Sequence, residues 1–268
     1  MNTIATLYQL QQYLGLASGD DDLRLLDALQ SAAAQIERLT GRRFCPRVAT
    51  IDHSVNPRQG NELLLADDLL VLTALTGNDG HTYAVDDVLL FGGADEPAGI
   101  LVLTDGTTFT WADTPVLAIS VTGTWGWHDQ WSLAWRSSGD VVKDAALSAS
   151  ATTITVGDAA GTDAENESPR FQVGHLLKID DEYLRIVAIT LNTGDDTLTV
   201  LRGVNGTTAA AHAQNAVIYT YQPAADVKQL NLRWAAWLYR EPDNRAPLDV
   251  PPGLWLKIEQ LRRVGVKA

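Results

Sequence analysis

Apolar residues spaced three and four apart mark two stretches near the ends of this chain, and the residues between them read as short period-2 runs. In "SGDDDLRLLDALQSAAAQIERLTGRRF", Leu25, Leu26, Leu29, Ala32, Ala33, Ile36 and Leu39 form one apolar stripe along about five helical turns. Ser18 or Asp20 can cap this helix, Asp21 and Asp22 suit the positive end of its dipole, and Gly41 stops it. The small-residue waist "SAAA" lets another helix approach closely, in this subunit or a neighbouring one. A shorter helix from about Thr3 to Leu14 is expected before it. Towards the other end, "AADVKQLNLRWAAWLYREP" repeats Val227, Leu230, Trp234, Trp237 and Leu238 at helical spacing until Pro242. After Pro251 and Pro252, a last short helix carries Leu254, Ile258 and Leu261 on one face.

Between these helices, Val48 to Trp127 reads as five or six strands punctuated by turns at Asn78-Asp79-Gly80 and Asp105-Gly106. The small-residue stretch "SSGDVVKDAALSASATTIT" follows as a boundary, and "TTITVGDA", "HLLKIDDEYLRIVAIT", "DTLTVLRGV" and "NAVIYTY" form a second β module. The expected class is α+β. A domain made of residues 1–139 and 223–268 is interrupted by an inserted β module at 140–222.

The net charge of −13 argues against a chain that grips nucleic acid over its whole surface. Residues 223–268 depart from that balance, with 8 basic residues against 5 acidic ones, which marks them as a place for a distinct partner or as a solvated helix face. No run approaches the roughly 18 apolar residues of a membrane span, and the first residues lack a signal-peptide pattern, so a soluble cytosolic product is expected. Cys45, the single cysteine, sits between Phe44 and Pro46 and reads as a packed thiol.

Catalytic chemistry is hard to find. "TVLRGVNGTTAAAHAQ" has the glycines of a phosphate loop without its Lys-Ser/Thr pair, so Asn205-Gly206 reads as a turn tolerant of positive φ. His53, His81, His128, His175 and His212 are scattered singly. The densest acidic group, Asp180-Asp181-Glu182, falls at an expected hairpin turn, where it reads as solvated or as a weak Ca²⁺ or Mg²⁺ site. Most of the eight tryptophans are expected in the core, although tryptophan also anchors interfaces. No catalytic residue, metal ligand or cofactor is assigned.

The order of these motifs resembles the head-tail connector (adaptor) proteins of tailed bacteriophages. The resemblance rests on Ala33, Ala34, Ile36, Glu37, Thr40, Gly41, Arg42 and Phe44 at the end of the acidic helix. It continues through Thr122-Gly123 and Gly126, then Ala235, Leu238, Tyr239 and Arg240. It covers roughly residues 5–139 and 223–265. The segment 140–222 departs from compact members of that family and looks like a β module of phage structural proteins. The resemblance implies a non-enzymatic virion protein, made in the host cytoplasm. It would form a ring, commonly a dodecamer, between the portal protein and a tail-side neck or tail terminator protein. Genomic DNA would pass through without tight binding, which an acidic protein favours. On this reading Leu26, Leu29, Ala33 and Ile36 are expected at the subunit interface. Trp255, Leu261, Arg262 and Arg263 are expected at the portal, unless the last helix packs back on its own subunit. The competing expectation is a β-rich tail or baseplate component that binds a host surface glycan.

Overall fold

A computed structural model describes residues 4–17, 19, 21–92, 95–240, 250–251 and 253–263. The cap candidates Ser18 and Asp20, and Pro242 and Pro252 at the bounds of the expected C-terminal helices, lie outside the described residues. The architecture is α+β, and the chain divides into two compact units, Met1–Gly41 with Leu133–Ala268, and Arg42–Ser132.

The first unit holds the four α-helices of the described residues: α1 (Leu7–Leu14), α2 (Asp22–Thr40), α3 (Ala225–Arg240) and α4 (Trp255–Leu261). α1 starts later than its apolar residues suggest because Thr6 forms a capping box with Gln9, each side chain bonded to the other's backbone N–H. α2 ends at Gly41, whose φ of 67° lets its N–H return to the Glu37 carbonyl. The stripe of α2 faces inward, with Leu25, Leu29, Ala32, Ala33 and Ile36 buried against the other helices, chiefly α3. α3 contributes buried Val227, Leu230, Trp234 and Ala235, and α4 contributes Ile258 and Leu261.

The same unit contains a six-stranded antiparallel sheet. Its strands are β7 (Trp135–Val141), β9 (Thr153–Val156), β10 (Leu176–Ile179), β11 (Glu182–Thr190), β12 (Asp196–Leu201) and β14 (Val217–Tyr221), in the order β7-β14-β10-β11-β12-β9. β8 (Ala146–Leu147) and β13 (His212–Ala213) form a separate two-stranded ladder. The chain enters and leaves the sheet on paired strands, with Trp135 opposite Tyr221 and Val141 opposite Val217. The sheet therefore begins at Trp135, before the compositional boundary at residue 140. Ile154, Val156, Leu177, Ile179, Leu184, Ile186, Leu198, Val200 and Ile218 fill its core.

The second unit carries β1 (Arg47–His53), β2 (Glu62–Gly77), β3 (Thr82–Tyr83), β4 (Val88–Phe91), β5 (Ala98–Leu103) and β6 (Ile119–Trp125). The order is β1-β6-β2-β5-β4, and β3 adds a hairpin to β2 across the expected turn at Gly80. Asp105-Gly106 also turns the chain but joins no hairpin, because β5 pairs back with β4 and β2. Gly123 cannot carry a side chain: a Cβ there would lie 2.1 Å from the Val71 carbonyl oxygen on the adjacent strand. Leu63, Leu69, Leu75, Leu101, Ile119, Val121 and Trp125 form the core, and Cys45 is buried as expected.

Candidate functional site

The grouping that most resembles an active site lies in the β10–β11 turn and the loop after β12, where Glu182, Arg202, His212 and Asp180 converge. Asp180 takes φ 51° to make the tight turn, which throws Glu182, the first residue of β11, inward. Its side chain is fully buried. Arg202 donates to both carboxylate oxygens, from Nε to Oε1 and from Nη2 to Oε2, each at 2.7 Å. The N–H groups of Gly203 and Ala210 donate to the same carboxylate at 2.9 Å each. His212 closes the set, with Nε2 at 2.9 Å from Glu182 Oε2 and Nδ1 at 2.7 Å from Asp180 Oδ2.

Burial pushes the Glu182 carboxyl up, but the bonds from Arg202, the Ala210 N–H, His212 and the Gly203 N–H outweigh it and hold the pKa at about 2. Arg202 also donates to the carbonyls of Ser148, Ala151 and Ala210, which ties the loop to the segment before β9. Asn205 and Gly206, at φ 53° and 83°, make the tight turn between them.

Chemically this arrangement has little left to offer a substrate. A carboxylate has about four lone-pair directions, and Glu182 accepts from five donors. Both ring nitrogens of His212 are occupied and its side chain is 1% exposed, so neither group is free to shuttle a proton. The network pins a loop. Among the described residues no group of three or more His, Cys, Asp or Glu could hold a metal ion. The acidic run thus separates into exposed Asp180 and Asp181 and a buried Glu182, which corrects the expectation of a wholly solvated turn. Sequence reasoning missed the link because Glu182 and His212 are 30 residues apart. The signal available was a Glu, an Arg and a His each standing at or next to a strand end of the same β module.

The residues expected at interfaces fall differently. Leu29, Ala33 and Ile36 are buried inside the subunit, where α3 covers the face expected to meet a neighbour; Leu26 is half-buried. The small-residue waist therefore serves a contact within the chain. Asn231 of α3 is part of it, fully buried, accepting from the Ala5 N–H at 3.1 Å and donating to the Leu29 carbonyl at 3.2 Å.

α4 packs back on its own subunit through Ile258 and Leu261, and the Arg263 N–H donates to the Thr40 carbonyl at the end of α2. Leu261, one of the residues expected at the portal, is therefore buried within its own subunit, as the alternative of a helix that packs back describes. Trp255 remains 54% exposed and its neighbour Leu256 70%, with Arg262 exposed beyond them. No described helix is long and apolar enough to cross a membrane.

No protein-family model and no curated protein matches the chain. Among solved structures, the chain is similar to one in the neck of an empty GTA particle computed with C6 symmetry. The identity is 14%, the match covers 98% of this chain and 91% of that chain, and the TM-score is 0.33, too low to equate the two folds.

Proposed function

We propose that this chain is a structural head-tail adaptor of a phage-type particle, a ring subunit seated between portal and tail, with no catalytic activity of its own. The observation that carries the reading is where the motif residues of the resemblance lie. Ala33, Ile36 and Thr40 on α2 and Ala235 on α3 are buried in one helical frame built from both ends of the chain. Ala34, Gly41 and Arg240 of the same motifs are exposed, so it is this buried subset, linking the two ends of the chain, that supports a shared frame.

The saturated bonding of Glu182 and His212 fits a binding and assembly role, since the groups best suited to chemistry are spent on holding a loop. The net charge of −13 fits a channel that must pass DNA without gripping it. Trp255 and Leu256 on α4 supply an exposed apolar step suited to an apolar groove on the portal, with Arg262, paired to Glu259 at 3.5 Å, just past the helix end.

Native mass measurement of the full chain, alone and mixed with the portal protein of the same particle, tests this. A complex holding several copies of the chain per portal assembly is expected. Failure of the two to associate at any concentration overturns the reading.

A further inference from the structure

The sheet of the second unit ends in two unlike edges. At one, β4 reads Val-Leu-Leu-Phe, with Leu89 49% and Phe91 60% exposed. The register extends this apolar surface across the sheet: Phe91 lies opposite Ile100 and Ile100 opposite Leu64, while Leu89 lies opposite Val102. In an antiparallel sheet with one face in water, outward residues are normally polar, whereas a strand apolar on both faces is the pattern of one covered on both. β4 also stands at the end of the strand order, so among the described residues one side of its backbone has no ladder partner. At the opposite edge, β1 exposes Thr50 and Asp52 and begins beside exposed Arg43 and half-buried Arg47. Exposed Asp86 and Asp87 immediately precede β4.

Four antiparallel steps separate β1 from β4, so the two edge strands run in the same direction. Copies related by rotation about an axis near the strand direction keep that sense, and β4 of one then meets β1 of the next in parallel. Strand starts would meet, which brings Asp86 and Asp87 to the neighbour's exposed Arg43, Arg47 being held by Asp67 of its own subunit at 2.8 Å.

We propose that the β4 edge is covered by β1 of a second copy of this chain, a head-to-tail contact that uses two different edges of one sheet. The inference rests on the ring reading above and names its subunit contact, in place of the buried stripe of α2. Two unlike, complementary faces on each subunit are what a closed ring requires. β4 lies level with Glu62–Leu64 on β2 and β1 with Leu69–Gly77, so closure also requires the strands to incline to the ring axis, as they do in barrels.

Cysteine cross-linking of the full chain tests the contact, because Leu89 and Thr50 are both exposed and tolerate replacement without loss of core packing. Buried Cys45 leaves the wild type as the unlinked control. With a short bismaleimide, Leu89→Cys/Thr50→Cys is expected to give a ladder of covalent oligomers. An equal mixture of the two single variants should stop at dimers, and each single variant alone should give none. Asp86→Lys with Asp87→Lys should cut the yield by about tenfold at low salt, the effect fading as salt rises.

Dimers from either single variant alone would mean a symmetric contact and overturn the proposal. Association with portal as a multimer, without linkage between positions 89 and 50, would overturn the edge contact and leave the adaptor reading standing. Linkage without portal association would support the edge contact and remove the adaptor reading. Absence of both would overturn both.

Discussion

Glu182 and Arg202 form a bidentate pair in which both bonds measure 2.7 Å and neither side chain is more than 6% exposed. Breaking one half of such a buried pair strands the other charge, at a cost of about 3 to 5 kcal/mol. Arg202→Ala is expected to lower the unfolding free energy read from urea titration by that order and to free the loop before His212. Its backbone amides should then exchange hydrogen faster than those of β12. Unchanged stability in Arg202→Ala would mean that the network does not hold the module.

The same pair gives a pH dependence with a definite sign. The folded pKa of Glu182 is about 2, below its ordinary 4.5. Its contribution is therefore complete above about 4.5 and is lost as the pH falls towards 2, because the unfolded chain takes up the proton first. Glu182→Gln should lower stability at neutral pH and flatten the fall of the midpoint over that window. A wild-type slope retained by the variant would show that other carboxylates govern the acid transition.

His175 acts in a higher window. Burial first, and then the Lys228 ammonium nearby, lower its pKa from 6.5 to about 4, so the folded protein holds it neutral. Protonation favours the unfolded chain between those values, and stability should decline as the pH drops from 6.5 towards 4. His175→Gln is expected to remove that part of the decline and leave the Glu182 window untouched. Stability profiles of the two single variants and the double variant, taken in urea at closely spaced pH, separate the contributions.

Much of the fold could be read from the chain because its strongest signals are local. Period 3.6 in α2 and α3, Gly41 at a positive φ, and Gly80 in the β2–β3 hairpin each need only neighbours in sequence. What sequence left open is decided by pairing at a distance. An apolar stripe states that a face will be covered and not by what, which is why Ala33 was equally suited to a neighbouring subunit and to α3. Glu182 looked like one of three acids in a turn, and only the φ of Asp180 and the return of Arg202 make it a buried anchor. The last helix was open for the same reason. Leu261 satisfies either surface, and its burial is set by the end of α2.

Ala33 now carries a different expectation from that of a ring contact. Ala33→Trp forces a large ring between packed helices within one subunit, where overpacking costs about 1 to 3 kcal/mol. It should destabilise the helical frame even in a dilute monomer. Asn231→Leu is expected to act at the same place, since it leaves the buried Ala5 N–H without its partner, at about 1 to 3 kcal/mol, and removes the second bond to the Leu29 carbonyl, which keeps its place in the helix. Circular dichroism at 222 nm against urea checks both. An Ala33→Trp chain of unchanged stability that fails only to assemble would restore the subunit-interface assignment.

α4 offers the sharpest way to separate folding from binding, because one of its faces is buried and the other exposed. Ile258 and Leu261 are buried against the subunit, and the Lys257 ammonium pairs with Asp226 of α3 at 2.6 Å. A helix of this length is marginal alone in water, so these contacts hold it in place. Ile258→Ser or Leu261→Ser is expected to cost about 2 to 4 kcal/mol and release the helix. Trp255→Ser with Leu256→Ser changes only exposed positions and should leave the unfolding free energy within about 0.5 kcal/mol of wild type. If α4 docks on the portal, that double variant loses portal association by at least about tenfold while remaining folded, as an exposed aromatic anchor would require. Equal portal binding by the folded double variant would remove α4 from the interface.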